Sequence, residues 1–260
     1  MRFYKRFYLQ TGIRGLDEII RRNPNDAAAY ARRGGGYRAL AQPAQALADF
    51  DAAIRLNPDL ADAYLGRGFA YSDLNQNESA LHDFDEAIRL NPDDANAFYS
   101  RAVIHRRLKQ GERALADYDV ALRLDPNFMY AYIGRGAVYL DLTQPAQALA
   151  DFDAVIRRRP NEADGYYSRG VAYRDLEQYE QAIADFTAAI RRKRDYADAY
   201  HNRAYSYYQL GEYEQAIPDF DAAIRFKPDY APAYHNRDAA KSALEQRDRT
   251  NRDGNDGHLP

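Results

Sequence analysis

Five prolines, Pro24, Pro58, Pro92, Pro126 and Pro160, stand 34 residues apart, and two further steps of the same length reach Arg194 and Pro228. A fixed period of this size constrains a chain more than any local propensity does. Each period must be one supersecondary unit that meets its neighbours in the same way. Cut at this interval, residues 27–230 hold six full units: 27–60, 61–94, 95–128, 129–162, 163–196 and 197–230. Residues 1–26 are an N-terminal segment with a half unit, marked by Leu16, Ile19, Ile20 and Pro24. A single capping helix is expected over 231–247, and the Arg-, Asp-, Asn- and Gly-rich tail 248–260 is expected to be disordered.

Columns within the period give the secondary structure. A leading aromatic column holds Tyr30, Tyr64, Phe98, Tyr132, Tyr166, Tyr200 and Tyr234. Four residues on is a small column (Gly34, Gly68, Ala102, Gly136, Gly170, Ala204), and three further are Tyr37, Tyr71, His105, Tyr139, Tyr173 and Tyr207. The second half of each unit repeats Ala46, Phe50 and Ala53 as Ala80, Phe84 and Ala87, and so on to Ala216, Phe220 and Ala223. Spacings of three and four are helical. Each unit therefore reads as two amphipathic helices closed by its proline, which cannot continue a helix. Pro43 and Pro145 fall where a second helix starts, as proline tolerates. Pro218 falls deeper, where a small distortion is expected.

The motif Tyr64-x2-Arg67-Gly68-x2-Tyr71 followed by Ala80-x3-Phe84, Ala87 and Pro92 resembles the tetratricopeptide repeat family, and the resemblance covers residues 27–230. The sequence departs from that pattern with Tyr in place of Trp, Arg in place of Leu in the first helix, and Arg194 in place of a proline. The resemblance implies an all-α fold, an α-solenoid of helix-turn-helix repeats wound as a right-handed superhelix. It implies a concave inner face that binds peptides or protein segments, and no chemistry.

Composition narrows the function classes. The formal net charge is -3, from 36 basic and 39 acidic residues, so no basic stripe marks a nucleic-acid surface. No run of about 18 apolar residues points to a membrane. The absence of Cys removes disulfides and thiolate metal sites. His201 and His235 lie one repeat apart without a third ligand, so no metal is expected. Gly34-Gly35-Gly36 lies in a helical pattern without the Lys-Ser/Thr of a phosphate loop. No catalytic residues and no cofactor are expected. The N-terminus lacks a signal sequence, so a cytoplasmic location is the default, although a Cys-free chain also suits the periplasm.

Two charge patterns accompany the repeat. Arg33, Arg67, Arg101, Arg135, Arg169, Arg203 and Arg237 are matched by Asp49, Asp83, Asp117, Asp151, Asp185 and Asp219. Because each Asp adjoins a core aromatic, the columns read as a structural ladder of forked Arg–carboxylate pairs rather than an anion-binding spine, with the pairing left open between within-repeat and between-repeat. Asp51/Arg55, Asp85/Arg89, Asp119/Arg123, Asp153/Arg157 and Asp221/Arg225 are spaced as i,i+4 pairs and read as a solvated outer face.

By the resemblance, the ligand-facing positions lie on the first helices outside the core columns. They are Leu65, Phe69, Tyr99, Val103, Arg106, Tyr130, Ile133, Tyr167, Val171, Arg174, His201, Tyr205 and Tyr208, while the first unit is blank there with Ala31 and Gly35. Tyr and Arg are the residue types of binding hot spots. The alternative is that these side chains pack between neighbouring first helices. The Lys and Asn of a clamp for peptide carboxylates are replaced by Ala31, Leu65, Gly35 and Phe69, which sets that subclass aside. The expected partner is a protein or peptide. The second reading is self-association through the incomplete N-terminal unit, whose apolar edge is Leu16, Ile19 and Ile20 unless Phe3, Tyr4, Phe7 and Tyr8 cover it.

Overall fold

The structure, a computed structural model, describes the backbone of residues 2–255 and the side chains of residues 8–251. Among the described residues there are helices and turns and no strand. In chain order the helices are α1 (Arg2–Arg22), α2 (Ala27–Ala39), α3 (Pro43–Leu56), α4 (Ala61–Asp73), α5 (Asn77–Leu90), α6 (Ala95–Arg107) and α7 (Gly111–Leu124). They continue with α8 (Met129–Asp141), α9 (Pro145–Arg158), α10 (Ala163–Asp175), α11 (Tyr179–Arg192), α12 (Ala197–Gln209), α13 (Tyr213–Phe226) and α14 (Ala231–Asn255). The chain divides into two compact units, Met1–Ala131 and Tyr132–Pro260.

Within each unit a first helix packs against the second helix that follows it: α2 on α3, α4 on α5 and α6 on α7 in one, α10 on α11 and α12 on α13 in the other. First helices also touch the next first helix, α2 with α4 and α4 with α6 in one unit, α10 with α12 and α12 with α14 in the other. They thus share one side of each unit, and the second helices form the other.

The turn inside each pair is set by backbone chemistry. Ala41, Asn75, Lys109, Thr143 and Glu177 adopt φ of 56–58°, and Gly211 takes φ 75°. In each pair the next residue's N–H closes onto the carbonyl five residues back (Gln42 N to Tyr37 O 2.9 Å, Gln76 N to Tyr71 O 2.9 Å, Glu212 N to Tyr207 O 2.9 Å). This is a Schellman closure, which glycine usually serves. Here it is imposed by packing on five residues that carry a Cβ, so the turn is invisible to a search for glycine.

Each repeat centres its core on one aromatic ring. Phe50, Phe84, Tyr118, Phe152, Phe186 and Phe220 are all buried, each flanked on its own helix by a buried Ala four residues before and by a buried Ala, or Val155, three residues after. The ring of Phe84 rests where a Cβ on Gly68 would come within 2.7 Å. Burial of each ring stabilises by about 1.5–3 kcal/mol.

The Arg and Asp columns form a seam, and the open question of pairing resolves as both kinds at once. Arg67 Nε and Nη2 donate to the two oxygens of Asp83 in its own repeat (2.8 and 2.7 Å), and Nη1 donates to Asp51 of the preceding second helix (2.7 Å). The pattern recurs as Asp85–Arg101–Asp117 and Asp153–Arg169–Asp185. Asp83 is fully buried, so the fork satisfies a carboxylate that would otherwise be costly. Hydrogen bonding to Asp83 first, against the opposing effect of burial, raises the Arg67 pKa above its ordinary value. The i,i+4 reading of Asp51, Asp85, Asp153 and Asp221 is therefore corrected. Each reaches the Arg of the next first helix instead, Asp221 meeting Arg237 at 3.2 Å.

The ends depart from the sequence-based expectation. Helix α1 begins at Arg2 and is longer than a half unit, yet its second half keeps the second-helix register: Asp17 accepts from Arg33 Nη1 at 2.7 Å, as Asp51 does from Arg67. Ile20 is buried rather than an exposed edge, and Leu16 is half-buried; of the expected edge only Ile19 stays exposed. Phe3, Tyr4 and Phe7 lie outside the described side chains. At the other end α14 does not stop at 247 but runs through Asn255, and residues 256–260 lie outside the described residues. The positions where a second helix would place its Ala and Phe are Thr250 and Gly254, so nothing apolar rewards a turn. Arg247 instead reaches back to Glu214 and stands over the Tyr213 ring at 5.7 Å. Helix α13 passes through Pro218 unbroken.

Candidate functional site

In the first unit the candidate positions are largely taken up by packing. Leu65 and Phe69 join the cluster of Ala80, Phe84 and Ile104. Phe69 meets Phe84 edge-on at 5.5 Å, and the Arg38 guanidinium lies over the Phe69 ring at 4.6 Å while Nε donates to Asp73 at 2.7 Å. Tyr99 is wedged between Tyr118 (5.9 Å) and Phe128 (4.9 Å), the residue just before α8. Burial, and then Tyr130, pushes its phenol pKa up. Val103 is half-buried and Arg106 exposed. Tyr130 is 63% exposed.

The second unit repeats the wedge and adds polar groups. Tyr167 lies between Phe186 (5.9 Å) and Tyr196 (4.8 Å), and His201 between Phe220 (5.7 Å) and Tyr230 (4.8 Å). Phe128, Tyr196 and Tyr230 occupy the position where α2 and α6 have a capping carboxylate, Asp26 and Asp94. The aromatic thus gives up the cap and covers the preceding repeat. Ile133 and Val171 are half-buried.

Arg174 Nη1 donates to Asn202 Oδ1, while Nε and Nη2 donate to Asp175 at 3.0 and 2.6 Å. Asn202 is buried, donates to the Asp198 carbonyl at 2.8 Å and stands 3.3 Å from the Tyr167 hydroxyl. His201 Nε2 is 3.1 Å from Asn236 Nδ2, so the neutral imidazole accepts there. Burial first, then Arg174, lowers the His201 pKa. Tyr205 packs on the last core cluster with Tyr208, which is also tilted against Tyr213 at 5.5 Å. The result is an open pocket lined by Arg174, Asp175, Glu177, Tyr179, His201, Asn202, Tyr205 and Asn236. It draws on the first helices α10 and α12, on α14, and on the start of α11.

Two sequence models match the chain, that of the tetratricopeptide repeat over residues 70–127, 133–183 and 167–231, and that of the TPR repeat over residues 37–75. The chain belongs to the tetratricopeptide repeat family. No curated protein matches it. Among solved structures it is similar to YrrB, a TPR protein with an unusual peptide-binding site: identity is 25%, coverage 73% of this chain and 97% of that one, and the TM-score 0.61. It also shares its fold with MamA (residue 41 to the end) from Desulfovibrio magneticus RS-1, at 24% identity, 65% and 96% coverage and TM-score 0.61. A third is pilF of Pseudomonas aeruginosa, at 18% identity, 85% and 97% coverage and TM-score 0.70.

Of the candidate positions in this tetratricopeptide array, Arg174, His201 and Tyr205 come together at the pocket, and Tyr167 joins through Asn202. Leu65, Phe69 and Tyr99 belong to the packing of the first unit. Tyr179, Asn202 and Asn236 were not among the candidates. Tyr179 had a signal: the first position of the second helices reads Pro43, Asn77, Gly111, Pro145, Tyr179 and Tyr213, so an aromatic enters only in the last two. Among the described residues, no three His, Asp or Glu side chains gather as a metal would require. No helix there is long and apolar enough to cross a membrane.

Proposed function

We propose that this TPR protein is an interaction scaffold that holds an extended segment of a partner protein along its first helices, with the pocket of Arg174, His201, Tyr205 and Asn236 as the anchoring point. The observation that supports this most is the pocket's construction from three successive first-helix positions. A ligand running along the array would meet Tyr167 and Arg174, then His201 and Tyr205, then Asn236. The likeness to YrrB, whose peptide-binding site is part of its description, supports the same reading. The test is selection of random peptides on the parent protein, followed by binding to Tyr205→Ser and to Arg89→Ser on the opposite face. Selected peptides should lose Tyr205→Ser and keep Arg89→Ser; equal loss on both, or on neither, refutes an inner-face site.

A second reading rests on α1. Its face of Gly12, Gly15 and Ile19 corresponds to Ala46, Asp49 and Ala53 of α3, which are buried where α3 packs on α2, and Tyr8, one turn before it, is 72% exposed. Self-association through this face would appear as a concentration-dependent mass in sedimentation that Ile19→Asp abolishes.

A further inference from the structure

We infer that the pocket between α10, α12 and α14 takes a proline-rich segment in the polyproline II conformation, an inference that rests on the inner-face reading above. Three features of the lining exclude the other common ligand classes. The pocket has one guanidinium, Arg174, against two carboxylates, Asp175 and Glu177, and Arg174 is already bonded to Asp175 and Asn202. Its net charge is therefore negative, and an acidic segment would be repelled. None of its lining residues is Leu, Ile, Val or Met, so the aliphatic anchors of an amphipathic helix have no seat. Asn202 uses its amide on Asp198 and Arg174, so it orders the wall rather than reading a ligand.

What is left for a ligand is aromatic surface and phenol hydroxyls. Tyr179 and Tyr205 both line the pocket, and among the described residues no protein group bonds either hydroxyl. A polyproline II segment has no internal hydrogen bonds, so every carbonyl along it seeks a donor, and its pyrrolidine rings pack on aromatic faces. It also enters already extended, so little conformational freedom is lost on docking. A basic residue beside the prolines would meet Glu177.

The test uses the full chain and an end-blocked proline decamer carrying one terminal Arg, with a Gly/Ser decamer carrying the same Arg as control. The proline peptide should bind the parent at least about tenfold tighter than the control, about 1.4 kcal/mol. Tyr205→Ala and Tyr179→Ala should abolish that preference. Tyr205→Phe, which keeps the ring and the fold, should lose part of it, with thermal melts confirming an unchanged array. If the Gly/Ser peptide binds as tightly and with the same dependence on Tyr205, the proline assignment is wrong while the inner-face reading survives. If the proline peptide binds equally to parent and both Ala variants, the pocket is not its site and the assignment is wrong. If no peptide from a random library binds in a Tyr205-dependent way, both readings fall together.

Discussion

In residues 61–94, Arg67 forks onto Asp83 and takes Asp51 from the helix before; in residues 197–230, Arg203 forks onto Asp219 but meets Thr187 where the other carboxylate would be, its Nη1 donating to the hydroxyl at 2.9 Å. The two repeats seat the same core ring, Phe84 and Phe220, on Gly68 and Ala204. Their exposed sides differ. Leu65 and Phe69 are folded into the cluster of the first, whereas His201 and Tyr205 border a polar pocket in the second. The comparison separates what the repeat must keep in order to stack from what it is free to change. The seam and ring are held nearly constant because each repeat depends on its neighbours for burial. The inner side varies because different side chains, Leu65 and Phe69 in one repeat and His201 in the other, can cover the same recurring ring.

The largest test of this division is to remove the ring from each repeat. Phe84→Ala and Phe220→Ala should each cost about 3–5 kcal/mol, as cavities in a close-packed core do. Hydrogen exchange at the amides of α5 and α13 would register the loss locally, which matters because repeat arrays can open one unit at a time. Equal losses uphold a common scaffold. A loss confined to Phe84→Ala would show that the last repeat is held by its neighbours rather than by its own core.

The next test takes the seam. Arg67→Lys keeps the charge and loses the fork, leaving buried Asp83 with a single donor and Asp51 with none. A cost of about 1–3 kcal/mol is expected from the lost charge-assisted bonds. Arg203→Lys should cost less, because Arg203 holds one carboxylate where Arg67 holds two. Denaturant midpoints of the two variants give the order directly, and the reverse order would break the account of the seam.

Most of the scaffold was legible in the sequence, for a physical reason. Stacking repeats the same contacts at the same spacing, so Tyr64, Gly68, Phe84 and Ala87 announce themselves by recurring. The bridging role of Asp51 was not legible. Its spacing to Arg55 fits a helix-surface pair equally well, and only the placement of α4 against α3 decides for Arg67. The long α14 was missed because the turn within each pair does not depend on a special residue. It forms at Ala41 or Thr143 where an aromatic second helix follows, and does not form at Glu245 where none does. The pocket was half legible. Arg174, His201 and Tyr205 lay on the expected columns, while Tyr179 comes from a second helix and Asn236 from the cap, both outside the positions the resemblance implies.

A smaller effect distinguishes the exposed sides by pH. Burial lowers the His201 pKa, so the native array binds fewer protons there than the unfolded chain, whose imidazole titrates near about 6.5. The resulting stability is present above that value and is lost as the pH falls below it. Thermal melts at neutral pH and near pH 5 should therefore show a fall in stability that shrinks in His201→Gln. An identical fall in both proteins would mean that the carboxylates of the seam, not His201, set the acid sensitivity.

The smallest effect should come from completing the weaker seam. Thr187 stands in the column of Asp17, Asp51, Asp85, Asp153 and Asp221, and its hydroxyl already contacts Arg203 Nη1. Thr187→Asp would give Arg203 the second carboxylate that Arg67 enjoys. The site is only half-buried and Arg203 already holds Asp219, so the gain is that of a partly screened pair, no more than about 1 kcal/mol. The same substitution should raise the cost of Arg203→Lys toward that of Arg67→Lys, because the two arginines would then hold equivalent sets. A double-mutant cycle between positions 187 and 203 measures this coupling apart from any change in helix propensity. Zero coupling would show that the bridging Asp of the other repeats lies along the seam without stabilising it, and that the Arg–Asp column stabilises through the fork within each repeat alone.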